Sequence, residues 1–181
     1  DRPLQKNEIE VYRELLKRRG KFEPLQYIIG EVEFYGIEFE ITSAVLIPRP
    51  ETELLVQTII DAVGKDEKVN ILDIGSGSGN ISIALAINIP SCRVVGLEIS
   101  EEAIKIANRN AKKNKVDEQV TFFKDNIMNG LENYNNKFDV VVSNPPYISS
   151  VDFKNLDPEL RLYEPRFALT DDDDGLSFYR R

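Results

Sequence analysis

Residues 141–148, VVSNPPYI, begin as an apolar run and then set Asn144 against Pro145, Pro146 and Tyr147. A residue before proline is pushed into extended backbone, so Asn144 carries a strand outward. Neither proline has an N–H; their carbonyls remain as acceptors and their φ angles are fixed. A planar NH2 group at this corner would donate one hydrogen to the Asn144 side-chain oxygen and another to the Pro145 carbonyl, with the Tyr147 ring stacked on the flat group. Such acceptors strengthen as positive charge grows on nitrogen, so they favour the transition state of attack by a poor nitrogen nucleophile over its ground state. No strong base is required, which suits a chain without histidine. A plain strand followed by a Pro-Pro turn is the alternative.

Three other segments carry residues suited to holding a second ligand. In DIGSGSGN, Gly75, Gly77 and Gly79 alternate, and Asp73 and Ile74 precede them. Glycine permits a tight turn and close approach of a ligand to backbone. The dinucleotide fingerprint G-x-G-x-x-G is not matched, because the third glycine comes one residue early. Asp73 would repel a phosphate and attract a cation, so the sulfonium and ammonium of S-adenosylmethionine suit this loop better than a nicotinamide dinucleotide does. Glu98 closes VVGLEIS, where a carboxylate can accept both hydroxyls of a ribose; a solvated glutamate is the bland reading. Asp125 and Asn126 follow QVTFFK, where an aspartate can accept from an adenine amino group, or can belong to an ordinary polar turn.

These positions need a scaffold, and the chain around them alternates strand and helix. VNILDIG, CRVVGLEIS, QVTFFKDN and KFDVVVSN read as apolar strands; NISIALAIN and EEAIKIANRNAKKN read as the helices between them. The fold class is therefore α/β, a doubly wound parallel sheet with helices on both faces and ligands beyond the carboxyl ends of the strands. Upstream, EVEFYGIEFEI alternates on both sides of Tyr35-Gly36 and reads as a β-hairpin. NEIEVYRELLKRR reads as a helix ending at Gly20, and Leu54, Leu55, Ile59, Ile60 and Val63 mark another that starts near Pro50.

Composition narrows the chemistry further. The 181 residues include 23 basic and 31 acidic side chains, a net charge of −8 that disfavours a broad nucleic-acid surface. Absence of histidine removes imidazole bases and ligands from this chain, and the lone Cys92 allows neither an internal disulfide nor a thiolate zinc site. No metal site is expected. TDDDDG fails as a calcium loop, since the register puts Thr170 first and Arg181 at the glutamate position. No signal peptide or membrane span is visible, and a cytoplasmic location is expected.

PLQYIIGEVEFYG, VLIPRPETELLV, VVSNPPYI and YEPRFAL followed by DGLSFYR, together with DIGSGSG and Glu98, resemble the HemK/PrmC family of release factor glutamine methyltransferases, class I S-adenosylmethionine-dependent enzymes with a Rossmann-like sheet. The resemblance runs from about residue 23 to the end. It implies methyl transfer to the glutamine of the Gly-Gly-Gln motif in class 1 peptide-chain release factors, S-adenosyl-L-homocysteine as product, and no direct nucleic-acid partner. Carried over by position, it implies cofactor contacts from Asp73 to Gly77, Glu98 and Asn126, with Asn144 to Tyr147 holding the glutamine. Family members often carry an aromatic residue where this chain has Asn126. PRPETE closes one side of the cofactor pocket, or else Arg49 and Glu51 pair at a helix start. The expected organisation is residues 1–30 as the end of a helical substrate-recognition domain, 31–47 as a linking hairpin, and 48–181 as a methyltransferase domain lacking its last strands. Strand DVVVSN would then expose an unpaired edge. The rivals are adenine-N6 methylation of DNA or RNA by base flipping and a non-catalytic cofactor-binding fragment.

Overall fold

The computed structural model describes residues 2–64, 68–130, 132–135 and 137–181. Helix α1 (Lys6–Arg19) starts with a reciprocal Gln5–Glu8 cap and has basic residues in its last turn, matching the helix dipole at both ends. None of its residues is buried, and Val11, Tyr12 and Leu16 are exposed. A short α2 (Leu25–Ile29) ends at Gly30 in the left-handed region and leads into β1 (Glu31–Phe34) and β2 (Ile37–Glu40). The two residues between the strands, Tyr35 and Gly36, both have positive φ (54° and 70°), as a tight two-residue hairpin requires. Phe34 and Phe39 leave the hairpin on its buried side and meet edge to face at 6.1 Å.

Helix α3 (Glu51–Val63) follows Pro50 as predicted, but its buried stripe is Thr52, Val56, Ile59 and Ile60. Leu54, expected on that stripe, is 72% exposed because it sits two residues from both Thr52 and Val56, about half a turn away.

Four parallel strands form the main sheet in the order β5 (Val120–Lys124), β4 (Arg93–Glu98), β3 (Asn70–Ile74), β6 (Val140–Ser143). Between them come α4 (Asn80–Asn88) and α5 (Glu101–Lys113), the latter capped by the Ser100 hydroxyl accepting from the Ala103 N–H. The two faces of the sheet are covered unequally. On the side of Ile71, Val94, Val120, Phe122 and Val142, helices α3, α4 and α5 and the hairpin build one large core. On the other, Leu72, Ile74 and Leu97 are covered by Ile127, Tyr134 and Phe138. Helices α6 (Ser150–Phe153), α7 (Pro158–Tyr163) and α8 (Arg166–Leu169) follow β6, and an Ile148–Thr170 bridge returns the chain to the carboxyl end of the sheet. Among the described residues, no helix is long and apolar enough to cross a membrane.

Candidate functional site

All four parallel strands point their carboxyl ends at one cleft of about 330 Å³. Ile74, Gly75, Gly77, Glu98, Asp125, Asn126, Asn144, Pro145 and Pro146 line it. Asp73, Ser76, Gly79 and Tyr147 are not in the lining: the first three are buried, and Tyr147 is 60% exposed.

Backbone geometry explains the glycine loop. Gly75, Gly77 and Gly79 all take left-handed φ, at 76°, 53° and 80°. A Cβ on Gly75 or Gly77 would meet nothing within 4 Å, so these two present open backbone. Gly79 is different: its Cβ would approach Phe122 Cζ to 2.9 Å and Ala107 to 3.2 Å, so this glycine serves packing beneath the loop. The Leu97 carbonyl accepts from the N–H groups of Gly75 and Ser76, tying the loop to β4.

Glu98 is 6% exposed, and three backbone donors already engage its carboxylate. Oε2 accepts from Gly77 N at 3.0 Å; Oε1 accepts from Ile99 N at 2.7 Å and Ser100 N at 3.0 Å. A carboxylate has about four lone-pair directions, so Oε2 retains the main free one. The two-oxygen grip predicted for a diol is thereby reduced to one strong acceptor, because the other oxygen orders the start of α5.

Asp73 lies on the helix-covered side of β3, fully buried, where Oδ2 accepts from the Ser82 hydroxyl of α4 at 2.6 Å. Its Oδ1 has no partner, and neither has the buried Ser76 Oγ. Burial pushes the Asp73 carboxyl up to about 6, against the Ser82 hydrogen bond and aided by the charge of Glu98. The carboxylate expected to meet a cation therefore lies behind the loop, outside the cleft lining.

At the third strand end, Asp125 Oδ2 accepts from the Tyr134 hydroxyl at 2.6 Å, and Asn126 Oδ1 accepts from Met128 N at 3.0 Å as a turn cap. Tyr134 was not legible in the sequence; its phenol is pushed up to about 12, chiefly by that hydrogen bond.

At the fourth, the Asn144 carboxamide donates through Nδ2 to Thr52 Oγ1 at 3.3 Å, leaving Oδ1 as its acceptor. Thr52 is 8% exposed and stands outside the cleft lining. Ser143 Oγ donates to the Ile74 carbonyl at 2.8 Å and holds this corner against the glycine loop. No backbone N–H among the described residues donates to the Pro145 carbonyl.

Arg49 pairs neither with Glu51 nor with a cleft group. It donates to Glu164 Oε1 at 2.6 Å, in a pair whose carboxylate side chain is only 2% exposed. Burial raises the Glu164 carboxyl while the Arg49 guanidinium opposes the shift. PRPETE thus braces the YEPR segment, and no residue from Pro48 to Glu53 lines the cleft. Sequence reasoning also missed Ala44, Val45, Leu46, Phe167 and Asp171, which do. The Ser177 side chain, followed by the N–H groups of Ser177, Asp173 and Gly175, holds the Asp171 carboxyl well below the usual carboxylate range. Among the described residues, no group of acidic and cysteine side chains is arranged to hold a metal.

Residues 65–163 match a family described as a methyltransferase domain, and residues 1–30 match a PrmC N-terminal domain. A release factor glutamine methyltransferase of Fusobacterium nucleatum is 48% identical over 180 residues, covering 99% of this chain and 50% of that protein. Its counterpart in Geobacter sulfurreducens is 46% identical over 99% of this chain and 61% of its own length. The chain therefore spans between half and three fifths of these two relatives. Among solved structures, the hMettl16 catalytic domain in complex with MAT2A 3'UTR hairpin 6 superposes with a TM-score of 0.67 at 16% identity, over 89% of this chain and 62% of that one, a likeness of fold. With its parallel sheet, its glycine loop and more than half of its length matched, the chain belongs to the methyltransferase-domain family.

Proposed function

We propose that the protein to which this chain belongs transfers a methyl group from S-adenosylmethionine to the side-chain amide nitrogen of the glutamine in the Gly-Gly-Gln motif of class 1 peptide-chain release factors, in the cytoplasm. The observation that carries this reading is the position of Asn144, Pro145 and Pro146 in the same cleft as the glycine loop and Glu98. Names of relatives 48% and 46% identical to the chain support the substrate. Residues 1–30 are read as the end of the part that recruits the release factor, 31–47 as the linking hairpin and 48–181 as the transferase portion.

The cleft fits the cofactor. Gly75 and Gly77 offer backbone with no side chain in the way, Glu98 Oε2 keeps an acceptor for a ribose hydroxyl, and the buried Asp73 supplies negative charge beneath the loop. Asp125, fixed by Tyr134, retains acceptor capacity for an exocyclic amine beside Ile127 and Met128. When bound, the cofactor supplies an electrophilic methyl group. The chain's own part is to hold the nitrogen. Asn144 Oδ1 and the Pro145 carbonyl accept its two hydrogens and point its lone pair along one line. Both acceptors gain strength as the nitrogen becomes positive, which lowers the barrier without a base; the strongly acidic methylated nitrogen gives its surplus proton to water, with S-adenosylhomocysteine as the leaving group. Tyr147, at the exposed rim, covers the flat face of the incoming amide.

The test is to give the full-length protein labelled S-adenosylmethionine with a release factor, its Gly-Gly-Ala variant and an adenine-containing duplex. Label in the factor alone is expected. Label in the duplex with none in the factor would replace this reading with adenine-N6 methylation.

A further inference from the structure

Asn110 has no exposed surface, yet it is polar and lies on α5, away from the strand ends. Its carboxamide is engaged in three bonds. Oδ1 accepts from Glu40 N at 2.7 Å, while Nδ2 donates to the Glu40 carbonyl at 2.9 Å and to the Ser78 carbonyl at 2.9 Å. Burying an amide is unfavourable unless its bonds are made, and an apolar side chain in this core would avoid the requirement. What the bonds connect is therefore informative.

Ser78 stands between Gly77 and Gly79, two left-handed glycines, and Gly77 lines the cleft. Glu40 ends β2, and the chain that continues from it supplies Ala44, Val45 and Leu46 to the cleft wall. One carboxamide thus fastens both the glycine loop and the segment leading to another wall. Attachment of the hairpin to α5 does not depend on Asn110 alone, since Arg109 pairs with Glu40 at 2.7 Å, Lys113 pairs with Glu38, and Phe34 and Phe39 belong to the shared core. The loop is held from beneath, since the cleft side of Gly75 and Gly77 is open: the Leu97 carbonyl, Glu98 and Asn110 engage its polar groups, and Gly79 packs on Phe122 and Ala107.

We infer that Asn110 is a positioning residue for cofactor binding, which fixes the spacing between the glycine loop and the Ala44–Leu46 wall. This rests on the cofactor reading above. Removing the carboxamide leaves the Ser78 and Glu40 carbonyls and the Glu40 N–H without partners, and the loop then samples heights at which the Gly77 N–H no longer meets Glu98.

Calorimetric binding of S-adenosylhomocysteine to the full-length protein tests it, with Asn110→Ala compared with Val56→Ala, a core substitution outside the cleft. Asn110→Ala is expected to weaken binding by about tenfold or more, the equivalent of one buried hydrogen bond. Val56→Ala should lower the thermal midpoint and leave affinity unchanged. Wild-type affinity in Asn110→Ala, or equal losses in both variants, overturns the inference. Failure of the wild type to bind overturns the cofactor reading itself, a separate outcome. Should Asn110→Ala not fold, hydrogen exchange on the wild type decides: the cofactor product should slow exchange of the Glu40 amide, and an amide indifferent to it contradicts the coupling.

Discussion

In the proposed reaction Asn144 holds the glutamine nitrogen, and its neighbour Thr52 sets how the carboxamide is presented. With Nδ2 engaged by the Thr52 hydroxyl, the carboxamide offers its oxygen; flipped, it would face the incoming NH2 group with its own. Asn144→Ala is expected to cut methyl transfer by roughly a hundredfold or more, the cost of losing a preorganised partner at the reacting atom, with product affinity in calorimetry largely retained. Undiminished turnover would remove the role assigned to this side chain. Thr52→Val should lower kcat by about tenfold, the worth of one hydrogen bond, at unchanged cofactor affinity, while Thr52→Ser restores it. Equal kcat in the two variants would contradict the orienting role. Asp73 gives a pH signature. Its folded carboxyl is raised to about 6 by burial, so the fold holds the proton more tightly than the unfolded chain and releases it above that pH. The stability it contributes is complete below the unfolded value near 4 and is lost as pH rises through about 6, a swing of up to roughly 3 kcal/mol. Asp73→Asn should therefore gain stability over wild type at pH 8 and not at pH 4, in paired denaturant titrations. Parallel pH profiles would show that Asp73 does not carry this titration.

At the level of elements, the site is held by close approaches that only glycine permits. Gly96 in β4 sits opposite Asp73, and a Cβ there would lie 2.4 Å from Phe122 Cδ1 and 3.0 Å from Ser76 Oγ. Gly96→Ala should therefore destabilise the protein by about 1–3 kcal/mol, the usual cost of overpacking a core, and Phe122→Leu in the same chain should recover part of it. A single variant as stable as wild type in urea would contradict the packing. The sequence made some of this legible and not the rest, for a physical reason. NPPY, the hairpin turn at Tyr35-Gly36 and the glycine loop were readable because proline carries a backbone restriction with it and glycine a backbone freedom. Strand and helix alternation was readable from periodicity. Partnerships across long stretches of chain were not: Arg49 with Glu164, Tyr134 with Asp125 and Asn110 with Ser78 leave no local pattern. Glu98 was readable as a site residue, but its prior engagement by three backbone N–H groups depends on a turn that only the folded β4–α5 junction creates.

At the scale of the whole sheet, the consequence of the strand order is that β6 has an open edge among the described residues. Strand β6 pairs with β3 on one side, and Val141 is 62% exposed. In the isolated 181-residue chain, the amides of β6 should exchange faster than those of β3, and the chain should self-associate in light scattering, as unpaired edges favour. A monodisperse monomer with β6 as protected as β3 would contradict this. The same strand carries Asn144 at its end, so the order of this edge and the geometry of the site belong together. Their joint test is a crystal structure of the full-length protein with S-adenosylhomocysteine and a Gly-Gly-Gln peptide. The glutamine nitrogen should lie within hydrogen-bond distance of Asn144 Oδ1 and the Pro145 carbonyl, facing the sulfur. A glutamine bound elsewhere, with the Asn144 corner turned from the sulfur, would contradict the account.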